Sequence, residues 1–310
     1  EVPLLPICHT TQKAQIEIVI DENGNFREAR VIPKNEARTI IPCTEDSGGR
    51  TSGEAAHPVC DKLQYVAVDY SERGGSKKPY FASYISQLEK WCTSEYSHPK
   101  AIAVLKYVKK GHVIEDLIAH QVLIAGDNGK LLPTWEKKKG ETVPKIFELL
   151  ASQEDAFVRW EVEIPGELET KVWKDKSLWE KWFRYYSGTK EGKSLCYVTG
   201  ETEFTADQHP AKVRNDGDKA KLISSNDGSG FTFRGRFLTA EQAATVGFET
   251  TQKAHFALRW LISRQGYRKG DLAIVAWAVT GAQIPRPTDD AVSILADDVP
   301  TAELSTNTAQ

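Results

Sequence analysis

A glycine-rich stretch from Gly217 to Phe237 constrains the structure of this chain more than any other segment. It reads GDKAKLISSNDGSGFTFRGRF and sets three closely spaced glycines among cations, small polar residues and aromatics. Because glycine permits positive φ and close approach of backbone N–H groups to a ligand, residues 224–230 are expected to form a turn-prone loop. This composition indicates a surface that meets phosphate.

Two pairs of cations flank the predicted loop: Lys219, Lys221, Arg234 and Arg236. Each pair has i, i+2 spacing, so both side chains of a pair project from one face if the flanks are extended. These four residues are candidate phosphate contacts, and Asn226 and Ser229 at the loop tip are candidates for hydrogen bonds to base edges. A solvated strand face is an equally good explanation of the cations, and Phe231 and Phe233 alternate as in a half-buried strand.

The charge distribution favours a local rather than a global polyanion site. The net charge is −3 and the isoelectric point is near 6.2, which excludes a protein that coats nucleic acid over its whole surface. Between Lys212 and Lys269, however, eleven cations accompany five anions. Residues 288–310 carry acidic side chains and no Lys or Arg, so they are expected to form an acidic linker or tail.

Composition predicts a globular protein without a metal or other cofactor. The chain has 310 residues of which 40% are hydrophobic, enough for one elaborated domain or two, and no apolar run approaches a membrane span. Five cysteines without C-x-x-C spacing suit a reducing cytoplasm. The nearest approach to a metal-binding set matches no finger or ribbon spacing and consists of Cys8, His9, Cys43, His57 and Cys60.

The amino-terminal part alternates apolar and polar residues. Gln15 to Ile32 predicts a β-hairpin with a type I′ turn at Asn23 and Gly24, and residues 65–69 predict another strand. Residues 45–54 are rich in Gly and Ser, which predicts an exposed, mobile loop. Arg50 and Ser52 in that loop are candidates for contact with a phosphate or a groove edge, although an ordinary solvated loop would have the same composition.

Helical and extended patterns then alternate, which predicts an α+β fold: an irregular, sheet-rich domain over residues 1–287 with a helical insert at about 80–124. The expected helices cover residues 81–92, 100–110, 113–122, 178–186 with Ser177 as its cap, and 239–264 with a capping box at Thr239 and Gln242. The expected strands cover 157–164, a hairpin at 195–198 with its turn at Gly200, and a buried strand at 271–279. Lys253, Arg259 and Arg264 fall on the last helix.

No catalytic motif is present. The sequence lacks G-x-x-x-x-G-K-S/T, G-x-S-x-G, H-E-x-x-H and G-x-G-x-x-G, and its histidines are isolated from acidic pairs. The pattern favours a binding protein without catalytic residues.

Residues 217–237, followed by AATVGFETTQKAHFALRWLISRQG, resemble the large subunit of the type I-C CRISPR surveillance complex, Cascade. The segments RTSG at Arg50 to Gly53, DKLQYVAVDY at Asp61 to Tyr70, and CYVTGE at Cys196 to Glu201 are also similar to that family. The resemblance spans most of residues 15–279 and is weakest in the helical insert. Family members are longer, so a C-terminal helical region is expected to follow the tail and some N-terminal residues to precede the chain.

The resemblance implies a cytoplasmic, non-enzymatic subunit that reads a short T-rich motif beside the DNA target, steadies the R-loop and helps to recruit the helicase-nuclease. Its implied partners are the crRNA, the backbone, crRNA-processing and small subunits of Cascade, and duplex DNA. In this interpretation Lys219, Lys221, Arg234 and Arg236 grip phosphates, and Lys253, Arg259 and Arg264 line the path of the displaced strand or the crRNA. The motif-reading candidates are Asn226, Ser229, Arg50 and Ser52.

Two other functions remain open at the level of sequence. One is a scaffold that binds only partner proteins. The other is a phosphate-handling enzyme that uses the glycine-rich loop, with Asp218 or Asp227 holding magnesium.

Overall fold

The computed structural model describes residues 4–50, 52–136, 142–215, 217–223 and 245–278. The chain divides into two compact units, Leu5–Lys193 and Ser194–Gln310 together with Glu1–Leu4. The predicted boundary between a domain over residues 1–287 and an acidic tail lies outside the described residues. No shift in composition marks the boundary between the two units, which falls inside a short strand.

The described strands of the first unit form two sheets. They are β1 (His9–Lys13), β2 (Ile16–Asp21), β3 (Phe26–Val31), β4 (Arg38–Pro42) and β5 (Val158–Glu163). β1 pairs antiparallel with β4. The larger sheet has the order β3-β2-β5, in which β2 is antiparallel to β3 and parallel to β5. The strand predicted at 157–164 is therefore confirmed, and its partner lies at the opposite end of the unit's sequence.

Helices cover the connection between β4 and β5. They are α1 (Glu45–Gly49), α2 (Leu63–Val66), α3 (Phe81–Cys92), α4 (Pro99–Val108), α5 (Val113–Ala119) and α6 (Lys145–Leu149), and α7 (Lys176–Gly188) follows β5. Short 3₁₀ turns lie at Val68–Tyr70, Gln153–Asp155 and Val172–Lys174. The predicted α+β fold is thus confirmed, as are the helices expected from residues 81 and 100.

The core of this unit forms where α4 packs on β2 and β5. Every residue of β2 is buried, because β2 is the central strand and is covered on both faces. Tyr107 of α4 meets Trp160 of β5 edge to face, with ring centroids 5.7 Å apart. Trp182 of α7 makes a similar contact with Trp91 of α3 at 5.1 Å, and both side chains are buried, so Trp182 contributes to the core.

A buried ion pair crosses the larger sheet. Glu17 on β2 accepts hydrogen bonds from Nε and Nη2 of Arg159 on β5, at 2.8 and 2.6 Å, and from Nε of Arg30 on β3 at 2.6 Å. Arg159 also donates to the Glu36 carbonyl oxygen at 2.8 Å and lies 3.8 Å from the ring centroid of Trp173. The side chains of Glu17 and Arg159 are each only 3% exposed, so the pair satisfies groups that water cannot reach.

The predicted β2–β3 hairpin is confirmed, but the type I′ turn is wrong. Such a turn needs positive φ at both central residues, and of Asn23 and Gly24 only Gly24 has it, at +72°. Asp21 instead organises a longer turn by accepting hydrogen bonds from the amides of Asn23 and Asn25 at 2.9 and 2.8 Å. Gly24 also lies against α4, where a Cβ would come within 2.7 Å of the Tyr107 nitrogen.

The strand predicted at residues 65–69 is wrong, because α2 and the 3₁₀ turn Val68–Tyr70 occupy that segment. All four residues of α2 are buried, and a short apolar run does not distinguish a buried strand from a buried helix. The Leu63 amide donates to the Ala156 carbonyl at 3.0 Å, so tertiary contact fixes the helical turn.

The structure also differs from the sequence prediction in one loop, one helix cap and one helix end. The loop at 45–54 begins with α1, because Thr44 and Ser47 form a reciprocal capping box. Asp175 rather than Ser177 caps α7, since its carboxylate accepts hydrogen bonds from the amides of Ser177 and Leu178. The helix expected over residues 113–122 ends at Ala119, and Gln121 has a left-handed φ of 58°.

The second unit contains β6 (Lys193–Leu195), β7 (Thr202–Phe204), α8 (Phe248–Gln265), β8 (Tyr267–Lys269) and β9 (Leu272–Ile274). β6 and β7 form the predicted hairpin, and Gly200 in its turn has a φ of 75°. α8 begins after Gly247, whose extended ψ of 144° precedes the helix, so the predicted continuous helix over residues 239–264 is wrong before Phe248, and the capping box predicted at Thr239 and Gln242 lies outside the described residues. The buried strand expected at 271–279 is an exposed hairpin of β8 and β9 instead, with Leu272 55% exposed.

Replacing Glu17 by Gln should lower the free energy of unfolding of the first unit by about 3–5 kcal/mol, because the buried Arg159 loses its counter-charge. Glu28→Gln on the neighbouring β3 is the matched control, since Glu28 is exposed, and it should change stability by less than about 0.5 kcal/mol. Chemical denaturation followed by tryptophan fluorescence measures both. Equal, small effects would show that the Glu17–Arg159 pair does not stabilise the sheet.

Candidate nucleic-acid interface

The described part of the glycine-rich stretch begins in a closed turn. Arg214 donates from Nε and Nη2 to the two carboxylate oxygens of Asp218, both at 2.8 Å, and Asp218 also accepts from the Ala220 amide at 2.9 Å. The hydrogen bonds from Arg214 are the main reason that the pKa of Asp218 lies well below its usual value. Asp218 is therefore committed to shaping this turn.

The two lysines after this turn lie in different environments. Lys219 is exposed, whereas Lys221 is half-buried and burial lowers its pKa. Residues 217–223 are not a strand, so the expected shared strand face of Lys219 and Lys221 is not formed. Lys219 presents its ammonium group to solvent. Lys221 is close enough to His209 and His255 for its charge to help lower the pKa of each histidine.

A pair of histidines ties this segment to α8. His255 on α8 donates from Nδ1 to the Thr251 carbonyl at 2.7 Å, which leaves Nε2 to accept from the Leu222 amide at 3.0 Å. His209 Nδ1 lies 2.7 Å from the Thr251 hydroxyl, and burial is the main reason that its pKa is lowered to about 4. The neutral imidazole of His255 thus fixes the backbone three residues beyond Lys219.

The cations of α8 are divided between two sides of the helix. Lys253 and Arg264 are eleven residues apart, close to three full turns, so they share one exposed side about 16 Å apart. Lys253 pairs with Glu249 at 3.2 Å, and the Arg264 guanidinium lies 4.9 Å from the ring centroid of Trp260. Arg259 is only 5% exposed, so it does not belong to that exposed side.

Arg50 and Ser52, the candidates in the first unit, have different accessibility. Arg50 is 8% exposed and donates to both carboxylate oxygens of Asp61, at 2.8 and 2.5 Å, while its guanidinium lies 4.2 Å from the ring centroid of Tyr65. Ser52 is exposed. In this arrangement Arg50 holds the loop from inside, and Ser52 is the member of the pair that faces solvent.

The remaining predicted site residues, Asn226, Ser229, Arg234 and Arg236, lie outside the described residues, as does Asp227. Among the described residues, sequence reasoning missed Asp61, Tyr65, His209 and His255 as organisers of the two candidate loops. No local signal marks them, because each acts on a segment at least eleven residues away in sequence.

Two features are absent from the described residues. No group of three or more His, Cys, Asp or Glu side chains among them is arranged to hold a metal ion. None of their helices combines the length and the apolar character that crossing a membrane requires.

Comparison with protein families gives one match over nearly the whole chain. A family model described as CRISPR-associated protein (Cas_Csd1) matches residues 1–309. A comparison of the sequence with curated proteins found no significant match.

Acidification should destabilise the second unit through the buried His209. Histidine in the unfolded chain binds a proton near pH 6.5, whereas folded His209 stays neutral to about pH 4, so the unfolded state binds more protons in that window. The stability that neutral His209 contributes is therefore fully present above pH 6.5 and is lost as the pH falls toward 4. The free energy of unfolding of the second unit, measured by chemical denaturation at a series of pH values, should therefore decrease over this range.

His209→Gln should make that pH dependence shallower, whereas His120→Gln at an exposed histidine of the first unit should leave it unchanged. The same slope in wild type and His209→Gln would contradict the assignment.

Proposed function

The chain belongs to the CRISPR-associated Cas_Csd1 family, and on that premise we propose that it is the DNA-recognition subunit of a type I-C Cascade. Membership makes it a CRISPR-associated Cascade subunit, which acts in a complex with other Cas proteins. In the proposed role, the subunit binds the motif beside the protospacer, grips the backbone of the target duplex and stabilises the R-loop. Its further partners are the crRNA and the helicase-nuclease that it helps to recruit.

The exposed Lys219 at the start of the glycine-rich stretch is the main support for this proposal. The Arg214–Asp218 turn precedes it and the hydrogen bond from the Leu222 amide to His255 follows it, so the backbone that carries Lys219 is anchored on both sides. An exposed cation on an anchored backbone, next to a glycine-rich sequence, suits phosphate contact, which positions a protein on DNA without reading its sequence. Lys221, Arg234 and Arg236 extend the same contact in the proposal.

In the proposal, only a few side chains contact the bases of the motif. Asn226 and Ser229 are proposed to read the T-rich motif, since an asparagine amide can bond adenine N6 and N7 in the major groove. Ser52 is a second candidate because it is exposed. Arg50 has a supporting role in this scheme, because its guanidinium is held by Asp61 and could reach a base only by breaking a buried ion pair.

The path of the displaced strand or the crRNA is proposed to follow the exposed side of α8. Lys253 and Arg264 share that side at a separation of about 16 Å, whereas Arg259 supports the helix from within its packed side. The subunit is proposed to have no catalytic role of its own. The magnesium-dependent alternative loses support because Asp218 already holds Arg214 and the Ala220 amide.

The double variant Lys219→Ala/Lys221→Ala should weaken binding of the assembled crRNA complex to duplex targets about equally with and without the flanking motif. Each phosphate contact removed should reduce the salt slope of binding by ~1. Affinity measured over a series of salt concentrations tests this, with Lys90→Ala at an exposed lysine on α3 as the control. Unchanged affinity and slope would favour the protein-only scaffold.

Asn226→Ala should have a different signature, namely loss of motif preference worth roughly 1–3 kcal/mol with little change in binding to targets that lack the motif. Competition between motif-bearing and motif-free duplexes measures the preference directly. If the preference survives in Asn226→Ala and is lost in Ser52→Ala, motif reading belongs to the loop of the first unit.

A further inference from the structure

Four side chains of the first unit form a continuous column, with a cation at each end and two tyrosines between them. The Arg50 guanidinium lies 4.2 Å from the ring centroid of Tyr65, the Tyr65 and Tyr80 ring centroids are 5.1 Å apart, and the Lys78 ammonium lies 5.4 Å from the centroid of Tyr80. A cation at each end therefore contacts a pair of adjacent tyrosine rings, which are tilted by 30° to each other. The column connects the buried side chain of Arg50 to the exposed Lys78.

The inner end of the column is rigid. Arg50 bonds both carboxylate oxygens of Asp61 and the Ala55 carbonyl at 2.6 Å, and Asp61 is completely buried. Tyr65 is 2% exposed and donates its hydroxyl hydrogen to the Gly53 carbonyl oxygen. These bonds leave Tyr65 as a fixed platform beneath Tyr80.

At the outer end, hydrogen bonds hold the backbone of Lys78 and Tyr80, while the side chains of both residues are accessible to solvent. The Tyr80 amide donates to the Gln64 carbonyl at 2.8 Å, and Gln64 Nε2 donates to the Lys78 carbonyl at 3.5 Å. Lys78 is exposed and Tyr80 is half-buried, and no ion pair of Lys78 occurs in the described part of the chain. A flexible ammonium over a fixed, partly accessible ring can move aside for a flat ligand and then pair with that ligand's charge.

The loop that leads to Lys78 is preorganised. Gly75 passes directly over the ring of Tyr70, where a Cβ would come within 2.3 Å of a ring carbon.

Ser76 donates from its amide and hydroxyl to Glu154 at 2.7 and 2.8 Å, and Lys77 pairs with Asp155 at 2.5 Å. Burial opposes ionisation of Glu154, but the hydrogen bonds from Ser76 outweigh it and lower its pKa. Glu154 and Asp155 are thus already paired with Ser76 and Lys77.

The candidate loop around Ser52 is tied to the same column. The Tyr65 hydroxyl holds the Gly53 carbonyl, and the Ser83 hydroxyl lies 3.4 Å from the Glu54 carbonyl and 2.9 Å from the Tyr80 carbonyl. Gly53 has a φ of 95° and nothing within 4 Å of the position of a Cβ, so the backbone there is open to a ligand. Backbone carbonyl groups of this loop therefore lie next to the Lys78–Tyr80 end of the column.

We propose that the Lys78–Tyr80 end of this column binds an unpaired nucleotide, with its base stacked on Tyr80 and its phosphate paired with Lys78. The inference rests on the proposed function insofar as the chain contacts nucleic acid, and it adds a second contact site in the first unit. Stacking on one ring requires a base that is free of its neighbour, which a closed duplex does not offer. The ligand is accordingly a single strand, either displaced DNA or RNA.

The test measures fluorescence anisotropy of the full-length chain with labelled 20-nucleotide single strands, one of deoxythymidine and one of uridine. Tyr80→Leu keeps apolar packing on Tyr65 but removes the aromatic face, so it should weaken binding about tenfold on at least one strand. Tyr80→Phe should bind like wild type. Lys78→Ala should lower the salt slope by ~0.7, as expected for one phosphate contact on a single strand. Lys90→Ala should match wild type.

An abasic strand of the same length separates stacking from charge. Wild type should lose about the same tenfold on the abasic strand as Tyr80→Leu loses on the intact one, and Tyr80→Leu should lose nothing further there. Weakening by Tyr80→Leu on DNA alone assigns the displaced strand as ligand, and weakening on RNA alone assigns the crRNA. If Tyr80→Leu and Lys90→Ala are indistinguishable on both strands, the proposal is wrong. The experiment uses neither a duplex nor a flanking motif, so this result is separate from failure of motif recognition.

Discussion

The Glu17–Arg159 ion pair is the interaction on which the first unit is built. It joins β2 to β5 through residues 142 positions apart, and through Arg30, the Glu36 carbonyl and Trp173 it also reaches β3, the approach to β4 and the turn before α7. A charge in the central strand of a sheet buried on both faces is tolerated only when fully paired. The pair therefore specifies one strand order and one register, and the helices between β4 and β5 pack against that frame.

Anchored loops with exposed tips recur in both units. In the first unit, Asp61 holds Arg50 and Glu154 holds Ser76, which leaves Ser52 and Lys78 at the surface. In the second unit, Asp218 holds Arg214 and His255 holds the Leu222 amide, which leaves Lys219 at the surface. Fixing the backbone before a ligand arrives reduces the entropy lost on binding. In the proposed function, in which the chain reads a short motif and then contacts DNA of any sequence, cations presented in this way would favour binding.

Sequence reasoning predicted the parts of the fold that local patterns determine. The helix over residues 81–92 has the predicted bounds, Pro99 begins α4 as its fixed φ suggests, and Gly200 turns the β6–β7 hairpin. The α+β class followed from the same patterns. The misassigned segment at 65–69 shows where this approach stops, because an apolar run buried on all sides carries no periodicity.

The candidate site was less accessible to prediction for a related reason. Lys219 and Ser52 could be selected by composition, and both are exposed. Arg50 had the same composition in its favour, yet its environment depends on Asp61 and Tyr65, which only folding brings to it. The tyrosine column likewise joins Tyr65 to Tyr80 across a loop whose course no local pattern gives.

The proposed function depends on contact between this chain and the motif beside the target. Photo-crosslinking from 4-thiothymidine placed within the motif of a duplex target, bound by the assembled complex and followed by mass spectrometry, detects that contact. Crosslinked peptides are expected from residues 217–237 of this chain, or from residues 52–54 if the loop of the first unit reads the motif. Crosslinks confined to other subunits of the complex would contradict it.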